Sequence, residues 1–127
     1  MSRRATRQYR KVQLESAPPQ RVLLEIYRRL DEDLGAARRC IAARDIRGKA
    51  RAVDHALALL GQLEGALDHG LAPALCQELA AAYAFCRNRI LLASVRLDPA
   101  PLSEVDEVLR PIRDAFAQLI DPTPPAR

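Results

Sequence analysis

Two histidines, three cysteines, a run of three carboxylates and three tyrosines are the residues of this chain whose types could do chemistry. His55 and His69 lie fourteen positions apart on what reads as a single helix, and neither has a cysteine or carboxylate at a recognised ligand spacing, apart from the adjacent Asp54, which points elsewhere on a helix. Cys40, Cys76 and Cys86 are odd in number and form no C-x-x-C pair. Cys76 and Cys86, ten positions apart on one helix, stand roughly 15 Å apart along its axis, too far to bridge. They read as small core residues of a protein in a reducing compartment. Asp31, Glu32 and Asp33 fan over about 200° of a helix and do not converge on one ligand; Arg28 and Arg29 are spaced to pair with Glu32 or Asp33 instead. There is no E-x-x-H pattern, no glycine-rich phosphate loop and no activated serine or cysteine signature, so neither a metal, a cofactor nor catalysis is expected.

Tyr27 and Tyr83 are open to two readings. Each lies in or beside an apolar stripe and carries a hydroxyl that needs a partner when buried, so each is either a core residue hydrogen-bonded to a neighbouring helix or part of a binding groove.

The elements that would position these side chains follow from Ala and Leu, strong helix formers that dominate a chain with no Trp and two Phe. At 127 residues the chain has the length of one domain. Leu23, Ile26, Leu30, Leu34, Ala37 and Ile41 form the stripe of a first helix over 19–43. Ala50, Val53, Leu57, Leu60, Leu63 and Leu67 do the same over 46–68, where His69 and Gly70 suit a left-handed cap. A third helix over 71–97 carries Leu75, Leu79, Ala82, Cys86, Ile90, Ala93 and Leu97; a fourth over 102–120 carries Leu102, Val105, Leu109, Ile112, Phe116 and Leu119. Pro111 inside the fourth predicts a kink or two shorter helices meeting near Arg110. Short connections make neighbours antiparallel. The expected architecture is all-α: an antiparallel four-helix bundle over 19–120, with an N-terminal extended arm (1–18) and a proline-rich tail (121–127).

The charge is uneven. Residues 1–11 hold Arg3, Arg4, Arg7, Arg10 and Lys11 with no acid, while the rest of the chain is near neutral. A short basic run without an aromatic stacking platform is weak support for nucleic acid, which is not expected as a partner. No apolar run follows those charges, so no secretory signal is expected, and no segment approaches the roughly 18–20 apolar residues that span a membrane. The arm has its own apolar residues, Tyr9, Val12 and Leu14, hinged to the first helix by Pro18 and Pro19. An apolar arm hinged to a bundle can cover a groove, which suggests a protein that binds another protein.

The order and spacing of these segments resemble the FliS family, the cytoplasmic chaperones of flagellin export. The resemblance runs from Tyr9, Val12, Leu14 and Pro19 through the stripe ending at Tyr27, the turn at Cys40 to Ile46, Leu63 to Asp68, and Leu79, Tyr83, Phe85 and Arg87 of the third helix. It ends with Asp98, Leu102, Val105, Leu109, Arg113 and Phe116, and covers about residues 9–119. It implies a cytoplasmic protein that binds the disordered C-terminal segment of flagellin, prevents its premature polymerisation and delivers it to the flagellar type III export apparatus. Export-gate components or an anti-sigma factor are further partners it admits, for a monomer or a dimer. The arm would fold over a groove when cargo is absent, anchored by Tyr9 and Leu14, and Tyr27, Leu30, Tyr83 and Leu91 are the groove candidates. The other reading of the same residues is a helical adaptor or regulatory module without flagellin cargo.

Overall fold

The computed structural model describes residues 19–120, which form four α-helices and no strand. They are α1 (Pro19–Ala42), α2 (Ile46–Gly65), α3 (Pro73–Arg96) and α4 (Ala100–Ile120). Consecutive helices pack against each other and α4 returns to pack on α1, closing an antiparallel ring in which α1 faces α3 and α2 faces α4 across the diagonals. The arm and the tail, with Tyr9 and Leu14, lie outside the described residues.

The core is the inner stripe of each helix. Ile26, Tyr27, Leu30, Leu34, Ala37 and Ile41 from α1 meet Val53, Ala56, Leu60 and Leu63 from α2, Tyr83, Cys86 and Ile90 from α3, and Leu102, Val105 and Leu109 from α4. Leu60, Cys86, Ile90, Leu102 and Val105 are completely enclosed, which favours the fold by about 1.5–3 kcal/mol for each large side chain. No polar or charged residue of the described part is fully buried.

The α2 and α3 stripes keep their expected phase and miss only at their first residue. Ala50 is exposed at the start of α2, where Ala52 joins the expected Val53 on the inner side. On α3, Leu75 is 55% exposed and Cys76 takes the inward position. Apolar residues occur nearly all round α3, so spacing alone does not say which of its faces is inside.

The helix ends also correct the sequence expectation. α2 stops at Gly65, so Leu67 and His69 belong to the following turn, and the two histidines do not share a helix. Leu67 still packs on the core from that turn, which is why the apolar stripe overruns the helix. Gly70 has no left-handed backbone; its N–H donates to Asp68 Oδ1 at 3.1 Å. The left-handed residues are Arg44 (φ 58°) and Leu97 (φ 52°). Arg44 closes α1 through Asp45 N–H to Cys40 O (2.8 Å) and its own N–H to Ile41 O (3.2 Å), a Schellman-type stop. Asp45 then caps α2, accepting from Gly48 N–H at 3.0 Å. A Cβ on Gly48 would collide with the Asp45 carboxylate and stand 2.7 Å from Cys40 Sγ, so a larger residue there has to displace the capping side chain. α4 is one continuous helix with Pro111 inside it, so it is not split into two near Arg110.

Candidate partner-binding surface

Most of the chemically active residue types have structural partners. Among the described residues no group of His, Cys, Asp and Glu could hold a metal ion. The three cysteines are free thiols; Cys76 and Cys86 are buried, and burial pushes the Cys86 thiol up to about 12. Arg28 pairs with Glu25, at 2.6 Å, and with Glu32, which holds the Glu25 carboxyl below its ordinary range through the Arg28 hydrogen bond. Asp33 instead faces His55 across the α1/α2 boundary, Oδ1 to Nδ1 at 3.9 Å, and partial burial raises its carboxyl. That pair borders an open polar cleft of about 380 Å³ with Arg29, Glu32 and Gln62. A second open cleft, about 480 Å³, lies between α1 and α4, lined by Arg21, Leu24, Glu25, Arg28, Asp31 and Arg113.

Of the groove candidates, three are interior. Leu30 is fully enclosed, and Tyr27 and Tyr83 are 1% and 2% exposed. The two tyrosine hydroxyls share a hydrogen bond of 2.6 Å across the α1–α3 diagonal, and burial raises the pKa of both phenols. The Tyr27 ring packs on Phe116 of α4 at 5.8 Å between centroids. Of the two readings left open for these tyrosines, the structure has the hydrogen-bonded core pair; none of the three lines an open groove. Their spacing matched a groove because a core stripe and a groove stripe have the same period.

Leu91 is different: it is 43% exposed, on the outer face of α3. Around it on that face lie Gln77, Ala81, Ala84, Phe85, Asn88, Leu92 and Val95, with Val95 81% and Phe85 38% exposed. No charged residue interrupts this strip. The charges of α3 sit on its flanks, and two of them turn to the neighbouring helices: Arg87 pairs with Glu64 of α2 at 2.6 Å, and Arg89 with Glu104 of α4 at 3.6 Å. Arg89 also lies over the Phe85 ring, its guanidinium carbon 5.2 Å from the centroid, which fixes the ring at the edge of the strip. A helix apolar on both faces is ordinarily covered on both, so the outer face of α3 has the character of an interface. Leu92 and Val95 were not among the residues singled out from the sequence, and Phe85 was named there only for the family resemblance, not as a contact; the available signal was the absence of charge at 77, 81, 84, 85, 88, 91, 92 and 95 once these are placed on one helical face.

This bundle, with an apolar outer strip and no catalytic constellation among the described residues, is matched by the family model of flagellar protein FliS over residues 1–123. The chain belongs to the FliS family. FliS-family membership places it among flagellar export chaperones, a family not known for enzymatic activity and one that binds flagellin-type partners. No curated protein sequence matches the chain. Among the described residues, no helix is long and apolar enough to cross a membrane.

Proposed function

We propose that this protein is a cytoplasmic chaperone that binds the disordered C-terminal segment of flagellin, keeps it from polymerising and delivers it to the flagellar type III export apparatus. Membership of the FliS family supports the partner class. The observation that carries the contact is the uncharged outer face of α3, with Phe85, Leu91, Leu92 and Val95 at helical spacing. An amphipathic segment that folds on docking can lay its apolar side along such a strip, and the entropy of ordering it keeps the net affinity modest, which suits a cargo that must be released. Leu91 is in this reading a direct contact. Tyr27, Leu30 and Tyr83 act from behind, fixing the position of α3 against α1. Tyr9 and Leu14 anchor the arm over the same surface when cargo is absent.

The test is co-expression with flagellin followed by size-exclusion chromatography. A one-to-one complex should form, disappear when the flagellin C-terminal segment is deleted, and disappear with Leu91→Glu combined with Val95→Glu in a variant whose melting temperature is unchanged. Failure of full-length flagellin to co-elute sinks the cargo assignment and favours a helical adaptor. Co-elution undisturbed by the double substitution moves the contact away from α3.

A further inference from the structure

One corner of the bundle has an electrostatic character of its own. Residues 36–51, the end of α1, the turn and the start of α2, contain Arg38, Arg39, Arg44, Arg47, Lys49 and Arg51 against the single acid Asp45. Arg38 is engaged with Asp106 of α4, and Lys49 Nζ donates to the Ser94 carbonyl at 3.0 Å. Asp45 is committed to capping α2. Arg39, Arg44, Arg47 and Arg51 are all exposed and form no ion pair among the described residues. Arg47 and Arg51 are one helical turn apart on the outer face of α2. Between Arg44 and Arg47 projects Ile46, 52% exposed. Elsewhere on α1 the charges are mixed: Arg28 lies between Glu25 and Glu32 and Asp31 holds Arg113, while Arg21 and Arg29 are exposed without an ion pair among the described residues but lie among acids.

We infer that this corner is a docking surface for an anionic membrane. Four exposed guanidiniums without ion-pair partners among the described residues, with the exposed Ile46 between two of them in the chain, match lipid phosphates and carboxylates with a shallow apolar contact beside them. The corner is the helix-turn-helix end of α1 and α2, and neither of the two clefts is lined by its residues. A plane of headgroups needs no groove, and it meets several separate guanidiniums at once. Nucleic acid would make no use of Ile46, and the corner offers no aromatic ring for a base to stack on. The contact is peripheral, since among the described residues no helix can cross a bilayer. It does not depend on flagellin being the cargo, because the corner shares none of the residues of the α3 strip.

The experiment is co-sedimentation of the full chain with phosphatidylcholine vesicles, with and without about 30 mol per cent phosphatidylserine, from about 50 to about 300 mM salt. The chain should partition onto the anionic vesicles only, and less as salt rises. Arg47→Ala with Arg51→Ala should lower the partition coefficient roughly 25-fold, about fivefold per arginine, and Ile46→Ser should lower the part that survives high salt. Arg28→Ala, at an exposed but paired arginine, should change nothing. Melting curves establish that each variant is folded. The proposal is overturned if anionic vesicles are not bound, or if the Arg47 and Arg51 variant binds within twofold of the parent. It is overturned equally if binding is lost only on replacing Arg3, Arg4 and Arg7 with serine, which assigns it to the arm. Retention of polyglutamate or duplex DNA through Arg47 and Arg51, without vesicle binding, would assign the corner to another partner class.

Discussion

Replacing Tyr27 by Phe removes one hydroxyl from a pair that is closed to water on both sides. Its partner, on a residue only 2% exposed, then has no other hydrogen bond among the described residues. The cost is that of leaving a buried hydroxyl unpaired, about 1–3 kcal/mol, and Tyr83→Phe incurs the same cost for the same reason. Removing both hydroxyls leaves two apolar rings of nearly unchanged shape, so Tyr27→Phe with Tyr83→Phe should lie within about 1 kcal/mol of the parent. The double-mutant cycle therefore has a large coupling, with the double variant more stable than either single one. In a domain of this size each kcal/mol moves the melting temperature by about 5 °C, so the single variants should melt roughly 5–15 °C lower and the double variant close to the parent. Urea unfolding followed by circular dichroism supplies the free energies. Additive losses would refute the reasoning, and so would single variants as stable as the parent, since either result requires each hydroxyl to have its own access to water.

Three more outcomes follow from the same structure. Tyr27, Tyr83 and Cys86 all have pKa values raised by burial, so below about pH 9 their full contribution to stability is present; above it the unfolded chain releases protons that the folded chain retains, and stability falls. The urea midpoint should be lower at about pH 11 than at about pH 8, and a flat profile would contradict the burial of these groups. Arg44→Gly relieves a left-handed residue and should stabilise by about 0.5–1 kcal/mol after the extra freedom of glycine in the unfolded chain is subtracted, read as a raised urea midpoint. Asp45→Ala removes the α2 cap and should cost about 1 kcal/mol, measured by urea unfolding; Gly48→Ala should cost at least as much, because its Cβ displaces the same carboxylate.

The four helices were legible because Leu, Ile and Val recur on single faces of the first, second and fourth, and their limits were readable to within a few residues. What spacing cannot carry is depth. Leu30 and Leu91 are both leucines at helical positions, yet one is enclosed and the other 43% exposed. The difference depends on where three other helices lie. The tyrosine pair was visible as two hydroxyls in need of partners, but that each is the other's partner, 56 positions away, is a property of the diagonal alone. On α3 the apolar residues surround the axis, so neither Leu75 nor Cys76 is marked as the inner one by its type. The left-handed stops fell on Arg44 and Leu97 rather than on Gly70, because backbone conformation at a helix end is set by how the next helix must pack, and residue preference yields to it.

Pro111 gives α4 a seam. With no N–H at that position, the carbonyl of Glu107 lacks its helical donor, and the ladder of hydrogen bonds is interrupted between Leu109, which is buried, and Ile112, which is only partly so. The stretch beyond the seam has few enclosed side chains, and Leu119 is 70% exposed, so it can open as a unit at a fraction of the cost of global unfolding while Leu102, Val105 and Leu109 hold the rest of α4 in place. Opening it takes Phe116 off Tyr27. The most deeply placed aromatic of α1 thus lies behind a hinged door rather than a wall, and the amide hydrogens beyond Pro111 should exchange with solvent before those on its other side.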